Sequence, residues 1–196
     1  YHHNGADDSP IALILHPNPQ QGGTMNNKLC FNMFNMFKDR GYSVMRFNFR
    51  GVGRSQGVFD QGIGELSDAA SALDWMQTYN ANARATWVAG YSFGSWIAMQ
   101  LLMRRPEIDG FISVAAPASE HDFTFLAPCP SSGILIHGTQ DTNIPVASVN
   151  KLADKLNAQK GIEVDMCAID GADHYFAKQQ DEVIKHSIAY LDKRGA

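Results

Sequence analysis

The sequence predicts an α/β fold, a doubly wound and mostly parallel sheet with helices on both faces, and three observations carry that expectation. Short apolar runs alternate with helix-forming segments along the whole chain. The runs, such as Ile11 to His16 (I-A-L-I-L-H), are continuously hydrophobic rather than alternating, as strands buried on both faces must be. The residues able to do chemistry follow directly after such runs, where parallel sheets place their sites.

Taken in order, the Ile11 strand stops at Pro17 and enters a loop to Gly23. Thr24 is the expected cap of a helix reaching about Arg40, with Leu29, Met33, Met36 and Phe37 on one face and Gly41 as its stop. A second strand spans Ser43 to Arg50, followed by the glycine-rich loop G-V-G-R-S-Q-G and a helix from about Gly64 to Tyr79. Trp87 to Ala89 form a third strand, and a helix restarts over Ser95 to Met103. Gly110 to Ala116, Gly133 to His137 and Glu163 to Ile169 are three further strands, and helices of about Val146 to Gln159 and Ala177 to Lys193 follow the last two. No linker, repeat or low-complexity segment interrupts residues 1–196, so the whole reads as one domain.

Composition narrows the function classes. The chain has 196 residues, is 44% hydrophobic and 18% charged, and has a net charge of -4, which disfavours nucleic acid and anionic membrane as partners. Cys30, Cys129 and Cys167 are odd in number and far apart, with no ligand spacing, so neither a disulfide framework nor a metal site is expected and a reducing, cytoplasmic setting fits. No apolar run approaches the roughly 20 residues of a membrane span, and the first residues are not a signal peptide. Since the chain does not open on methionine, it reads as starting inside a longer one. Dimerisation through an edge strand or a helix face is left open.

Between the third strand and its helix lies Gly90-Tyr91-Ser92-Phe93-Gly94, a G-x-S-x-G turn. Such a strand-to-helix corner forces the serine backbone into strain, while glycines on either side let strand and helix pass. The serine oxygen then sits at a helix N-terminus, where free N–H groups favour negative charge on an attacked carbonyl. A hydrolytic serine needs a base and an orienting acid. Asp141 follows the Gly133 strand in H-G-T-Q-D and His174 follows the Glu163 strand in D-G-A-D-H-Y-F, giving the order Ser92, Asp141, His174. Asp173 and Asp170 also lie near His174, but Asp173, adjacent to it, suits a turn better. His16 and His137 read as core or loop braces, and His121 and His186 as weaker candidates. This chemistry calls for no metal or cofactor.

These motifs together resemble the α/β-hydrolase superfamily, and within it the small bacterial hydrolases related to dienelactone hydrolase. The resemblance runs from I-L-H-P-N-P-Q-Q-G-G-T-M-N-N-K through F-N-F-R-G-V-G-R-S-Q-G and G-Y-S-F-G to G-A-D-H-Y-F. Dienelactone hydrolase itself has cysteine at the position of Ser92, so the resemblance implies ester hydrolysis and not that lactone. It places the oxyanion donors at the backbone N–H groups of Asn18 and Phe93, although Pro17 stands where such enzymes carry glycine. It also implies an N-terminal hairpin that here is absent or truncated.

Only Pro117 to Ser132 separate the fourth and fifth strands, leaving no room for a lid or cap domain. A short helix is expected around Asp122 to Leu126, with Phe123 and Phe125 as candidate acyl-pocket residues and Tyr91 and Tyr175 flanking the triad. Trp96 suits the core better, and Arg50 and Arg54 suit bracing of their loop better than contact with an anionic substrate. The expected partner is a small-molecule, short-chain ester. A serine peptidase on small peptides and a non-catalytic binding protein of the same fold are the alternatives.

Overall fold

The computed structural model describes residues 1–196 and contains a six-stranded, all-parallel sheet. In chain order the elements are β1 (Ile11–Leu15), a 3-10 turn (Pro19–Gln21), α1 (Lys28–Asp39), β2 (Ser43–Arg46), α2 (Ile63–Tyr79), β3 (Thr86–Tyr91), α3 (Phe93–Leu102), β4 (Gly110–Val114), β5 (Gly133–Gly138), α4 (Val146–Asn157), β6 (Val164–Ile169) and α5 (Gln180–Arg194). The strand order β2-β1-β3-β4-β5-β6 reverses direction once, at β1, and the chain then winds outward from β3 to β6.

Continuous hydrophobicity in β1, β3, β4 and β5 follows from cover on both faces, and every residue of these strands is buried. Alternate side chains feed two cores. Ile11, Leu13 and Leu15 join Leu73, Ile97 and Leu152 under α2, α3 and α4. Ala12 and Ile14 join Met33, Phe37 and Leu191 under α1 and α5 on the opposite face. No helix is long and apolar enough to cross a membrane.

Four local expectations are corrected. The N-cap of α1 is Asn27, whose Oδ1 accepts from the N–H groups of Leu29 and Cys30; Thr24 instead caps a preceding turn through Asn26 N. β2 ends at Arg46, four residues early, because the next backbone groups turn to side chains: Phe49 N–H donates to His16 Nε2 at 3.1 Å. No helix forms at Asp122 to Leu126; the Asp122 carboxylate takes the N–H and hydroxyl of Thr124 in a local turn, a bond that competes with helix formation. α5 starts at Gln180 and not at Ala177, whose N–H is held by Asp173 Oδ1 at 3.3 Å. Ahead of β1, the residue His2 makes one antiparallel bridge to Val44 at the β2 edge.

His16 shows what the loops require of the core. Its Nδ1–H donates to Pro17 O at 2.7 Å while Nε2 accepts from Phe49, so one neutral imidazole ties the loops after β1 and β2 together. Burial drives its pKa down to about 4. Burial also lowers the pKa values of His121 and His137. The unfolded chain therefore takes up protons near pH 6.5 that the folded chain refuses, and folding stability is lost as pH falls from about 6.5 towards 4. For His16 alone the depression corresponds to about 3 kcal/mol. Urea unfolding measured from pH 7.5 to 4.5 is expected to show the midpoint falling across this window, and a flat profile would contradict the neutral, buried state of His16.

Candidate active site

The corner between β3 and α3 is set by close backbone approach. Ser92 is the N-cap of α3 with φ 53° and ψ -120°, a region that non-glycine residues seldom enter and that costs about 1–3 kcal/mol. Its N–H donates to Val114 O at 2.8 Å, pinning the corner to the end of β4. A Cβ on Gly90 would collide with the backbone of Gly94 and Ser95, and one on Gly94 with the carbonyls of Leu15 and His16. The glycines flanking Ser92 are therefore demanded by space, because α3 starts against the end of β1.

His174 and Asp141 meet this corner from loops after β6 and β5. His174 Nε2 lies 3.1 Å from Ser92 Oγ, and His174 Nδ1 lies 2.7 Å from Asp141 Oδ2. All three residues are buried. With Asp141 accepting at Nδ1–H, Nε2 is left as the acceptor for the serine hydroxyl. Asp141 Oδ1 accepts from the N–H groups of Asn143 and Ile144 at 2.9 and 2.8 Å. Burial pushes the Asp141 carboxyl up, but the His174 bond, the Ile144 N–H and the two nearby imidazoles outweigh it and hold the group below the usual carboxylate range.

The two loops are laced to each other. Gln140 N–H donates to Ala172 O at 2.9 Å, Thr139 N–H to Ile169 O at 3.0 Å, and Thr139 Oγ1 bridges Asp170 and Gly171 N. Asp173 is a turn former whose Oδ1 accepts from Tyr175 N and Ala177 N. Tyr91 is buried, and its hydroxyl donates to the His174 carbonyl at 2.9 Å, so it holds the histidine's backbone as well as lining the cleft.

A small cleft of about 100 Å³ opens on Ser92 and His174, lined also by Asn18, Gln21, Gly23, Asn27 and Tyr175. Asn18 N–H donates to no protein group, and Phe93, the first residue of α3, has no acceptor within its helix. Both N–H groups thus border the serine corner unpaired. Sequence pattern does not mark Gln21, Gly23 and Asn27: the loop from Pro17 to Gly23 doubles back through Gly23 N–H to Asn18 O at 2.9 Å and brings in the first two, and Asn27 enters as the N-cap of α1. Phe123 and Phe125 are not part of this cleft. They stack on each other, and Phe123 faces a separate cavity of about 540 Å³ between the segment after β4 and α4. Trp96 stacks on His121 at 4.1 Å and is only partly buried. Arg50 is a loop brace, bound to Asp68 through two guanidinium nitrogens and its own backbone N–H. No group of three or more His, Cys, Asp or Glu is placed to hold a metal ion.

Known proteins share this architecture. A family model described as X-Pro dipeptidyl-peptidase (S15 family) matches residues 4–182. The uncharacterized protein RP471 of Rickettsia prowazekii (strain Madrid E) is 47% identical over 188 residues, 94% of this chain and 79% of that protein. ATU1826 of Agrobacterium tumefaciens, a protein of unknown function described as an α/β-hydrolase candidate, superposes with a TM-score of 0.95 at 54% identity, over 97% of this chain and 87% of that one. XC6422 of Xanthomonas campestris, described as an α/β serine hydrolase without a lid, superposes with a TM-score of 0.87 at 26% identity, over 98% of this chain and 85% of that one.

Tyr91→Phe removes the donor to the buried His174 carbonyl and leaves that oxygen unpaired, a cost of about 1–3 kcal/mol. Urea denaturation of the variant is expected to show a loss in that range with an unchanged slope; wild-type stability would mean the bond does not hold the loop.

Proposed function

The chain belongs to the X-Pro dipeptidyl-peptidase (S15) family, an α/β-hydrolase-type family, and from that premise we propose that it hydrolyses short-chain carboxylic esters through a Ser92–His174–Asp141 triad and an acyl-enzyme intermediate. The observation that carries the reading is the unbroken path from Ser92 Oγ through His174 to Asp141, at 3.1 and 2.7 Å, beneath two unpaired backbone N–H groups.

In this mechanism His174 Nε2 takes the Ser92 proton as Oγ attacks the ester carbonyl. The N–H groups of Asn18 and Phe93 hold the tetrahedral oxyanion, a contribution of about 3–4 kcal/mol for a typical donor. Asp141 keeps Nδ1 protonated and stabilises the imidazolium. His174 then gives its proton to the leaving alcohol. Water, deprotonated by the same nitrogen, attacks the acyl-serine, and collapse of the second intermediate returns the proton to Ser92 and frees the acid.

Neutral, short esters suit the cleft for two reasons. Its volume is about 100 Å³, and no lid covers it to hold a long chain away from water. The family's description supports a second reading, cleavage of a dipeptide from a peptide N-terminus. Such a substrate presents an ammonium group, which needs a carboxylate to meet it. The cleft lining of Pro17, Asn18, Gln21, Asn27 and Tyr175 has no Asp or Glu, which favours the ester.

Hydrolysis of p-nitrophenyl esters from acetate to palmitate is expected to peak at acetate or butyrate. Ser92→Ala is expected to fold normally and to lose at least about 10⁴-fold in turnover. Activity confined to X-Pro dipeptide amides would replace this reading with the peptidase one, and an active alanine variant would remove Ser92 from the mechanism.

A further inference from the structure

The mechanism leaves one buried titratable group beside it unused. His137 lies in β5, four positions before Asp141, and is fully buried. Its Nε2 is 2.8 Å from Ile144 O and 3.4 Å from Asp141 Oδ2. A carbonyl only accepts, so Nε2 carries the proton and donates it to Ile144 O, with Asp141 Oδ2 alongside. Nδ1 is then a bare acceptor, and it is buried without any partner. Burial favours the neutral ring, whose titratable neighbours are Asp141 and His174.

An unpartnered acceptor in a core costs stability that leucine or phenylalanine there would avoid. What the imidazole supplies in return is a chain of bonds from the sheet to the acid. Ile144 N–H donates to Asp141 Oδ1, and Ile144 O accepts from His137 Nε2–H. One end of this chain is anchored in the sheet, because His137 pairs in register with Ala168 of β6. The rest is loop.

We propose that His137 is a positioning residue for Asp141: it ties the Asp141 loop to β5 through Ile144, whose N–H in turn holds Asp141 Oδ1, and so fixes the carboxylate that orients His174. The proposal rests on the reading of Ser92, His174 and Asp141 as the reacting triad.

The test compares His137→Leu, which fills the space without a donor, with His137→Gln, whose amide nitrogen occupies roughly the place of Nε2. Two readouts are followed across pH: kcat and KM on p-nitrophenyl acetate, and the rate at which a fluorophosphonate modifies Ser92. His137→Leu is expected to lower kcat by up to roughly 10²-fold with little change in KM, as misplacement of a reacting group does. With Asp141 held less firmly, the His174 imidazolium is stabilised less, so the acid limb of both profiles is expected to move to lower pH. His137→Gln is expected to restore rate and limb together. If the leucine variant does not fold, His137→Asn, too short to reach Ile144 O, is expected to show the same losses. A folded leucine or asparagine variant with wild-type kcat and limb overturns the proposal, and so does a glutamine variant as impaired as leucine. A wild type that is phosphonylated at Ser92 but inactive on the ester overturns only the ester reading, and the modification rates then decide the role of His137. A wild type unreactive to both overturns the triad and this role with it.

Discussion

Everything at the site depends on how closely α3 approaches the ends of β1 and β3. Gly94 sits against the carbonyls of Leu15 and His16, and Gly90 against the first turn of α3, so a side chain at either place would push the helix away. Only with the helix that close can Ser92 be held at φ 53° with its N–H on Val114 O. The strain is sustained because the surrounding sheet over-determines the backbone: β3 lies between β1 and β4 and is buried along its whole length. Position, strain and the unpaired N–H groups at the head of α3 are one consequence of the same packing.

The partners of Ser92 rest on a different kind of support. Asp141 and His174 stand on loops, and loops are mobile unless tied. Here the ties are backbone bonds between the two loops, the Tyr91 hydroxyl on the His174 carbonyl, and the two backbone N–H groups on Asp141. Buried histidines do similar work elsewhere around the sheet's C-terminal edge, His16 between the loops after β1 and β2 and His137 beneath Asp141. A neutral imidazole suits this task because it offers a donor, and at His16 an acceptor as well, within a small volume. The same choice makes the fold sensitive to acid, since each such ring resists protonation while buried.

Much of this is legible in the sequence, for physical reasons. Continuous apolar runs mark strands covered on both faces, and the G-x-S-x-G spacing marks a corner that only glycine relieves, so the six strands and the convergence of Ser92, Asp141 and His174 follow from pattern alone. What pattern misses is decided by local competition among polar groups. Asn27 displaces Thr24 as the cap of α1, the Asp122 carboxylate replaces an expected helix with a turn, and His16 takes the Phe49 N–H that would have prolonged β2. Asn18, Tyr91 and Tyr175 of the cleft lining are legible, but Gln21 and Gly23 are missed because they enter through a loop that folds back on Asn18. Phe123 and Phe125 illustrate the converse: their hydrophobicity is plain, but Phe123 faces a cavity bordered by α4 and away from Ser92.

The central claim is that Ser92 is the nucleophile of a working triad. Its most direct test is peptide mapping by mass spectrometry after brief exposure to a fluorophosphonate. The account predicts a single stoichiometric adduct on the peptide containing Ser92, absent from His174→Ala at the same exposure because the serine then lacks its base. No adduct on the folded protein, or an adduct that forms equally well without His174, would contradict it.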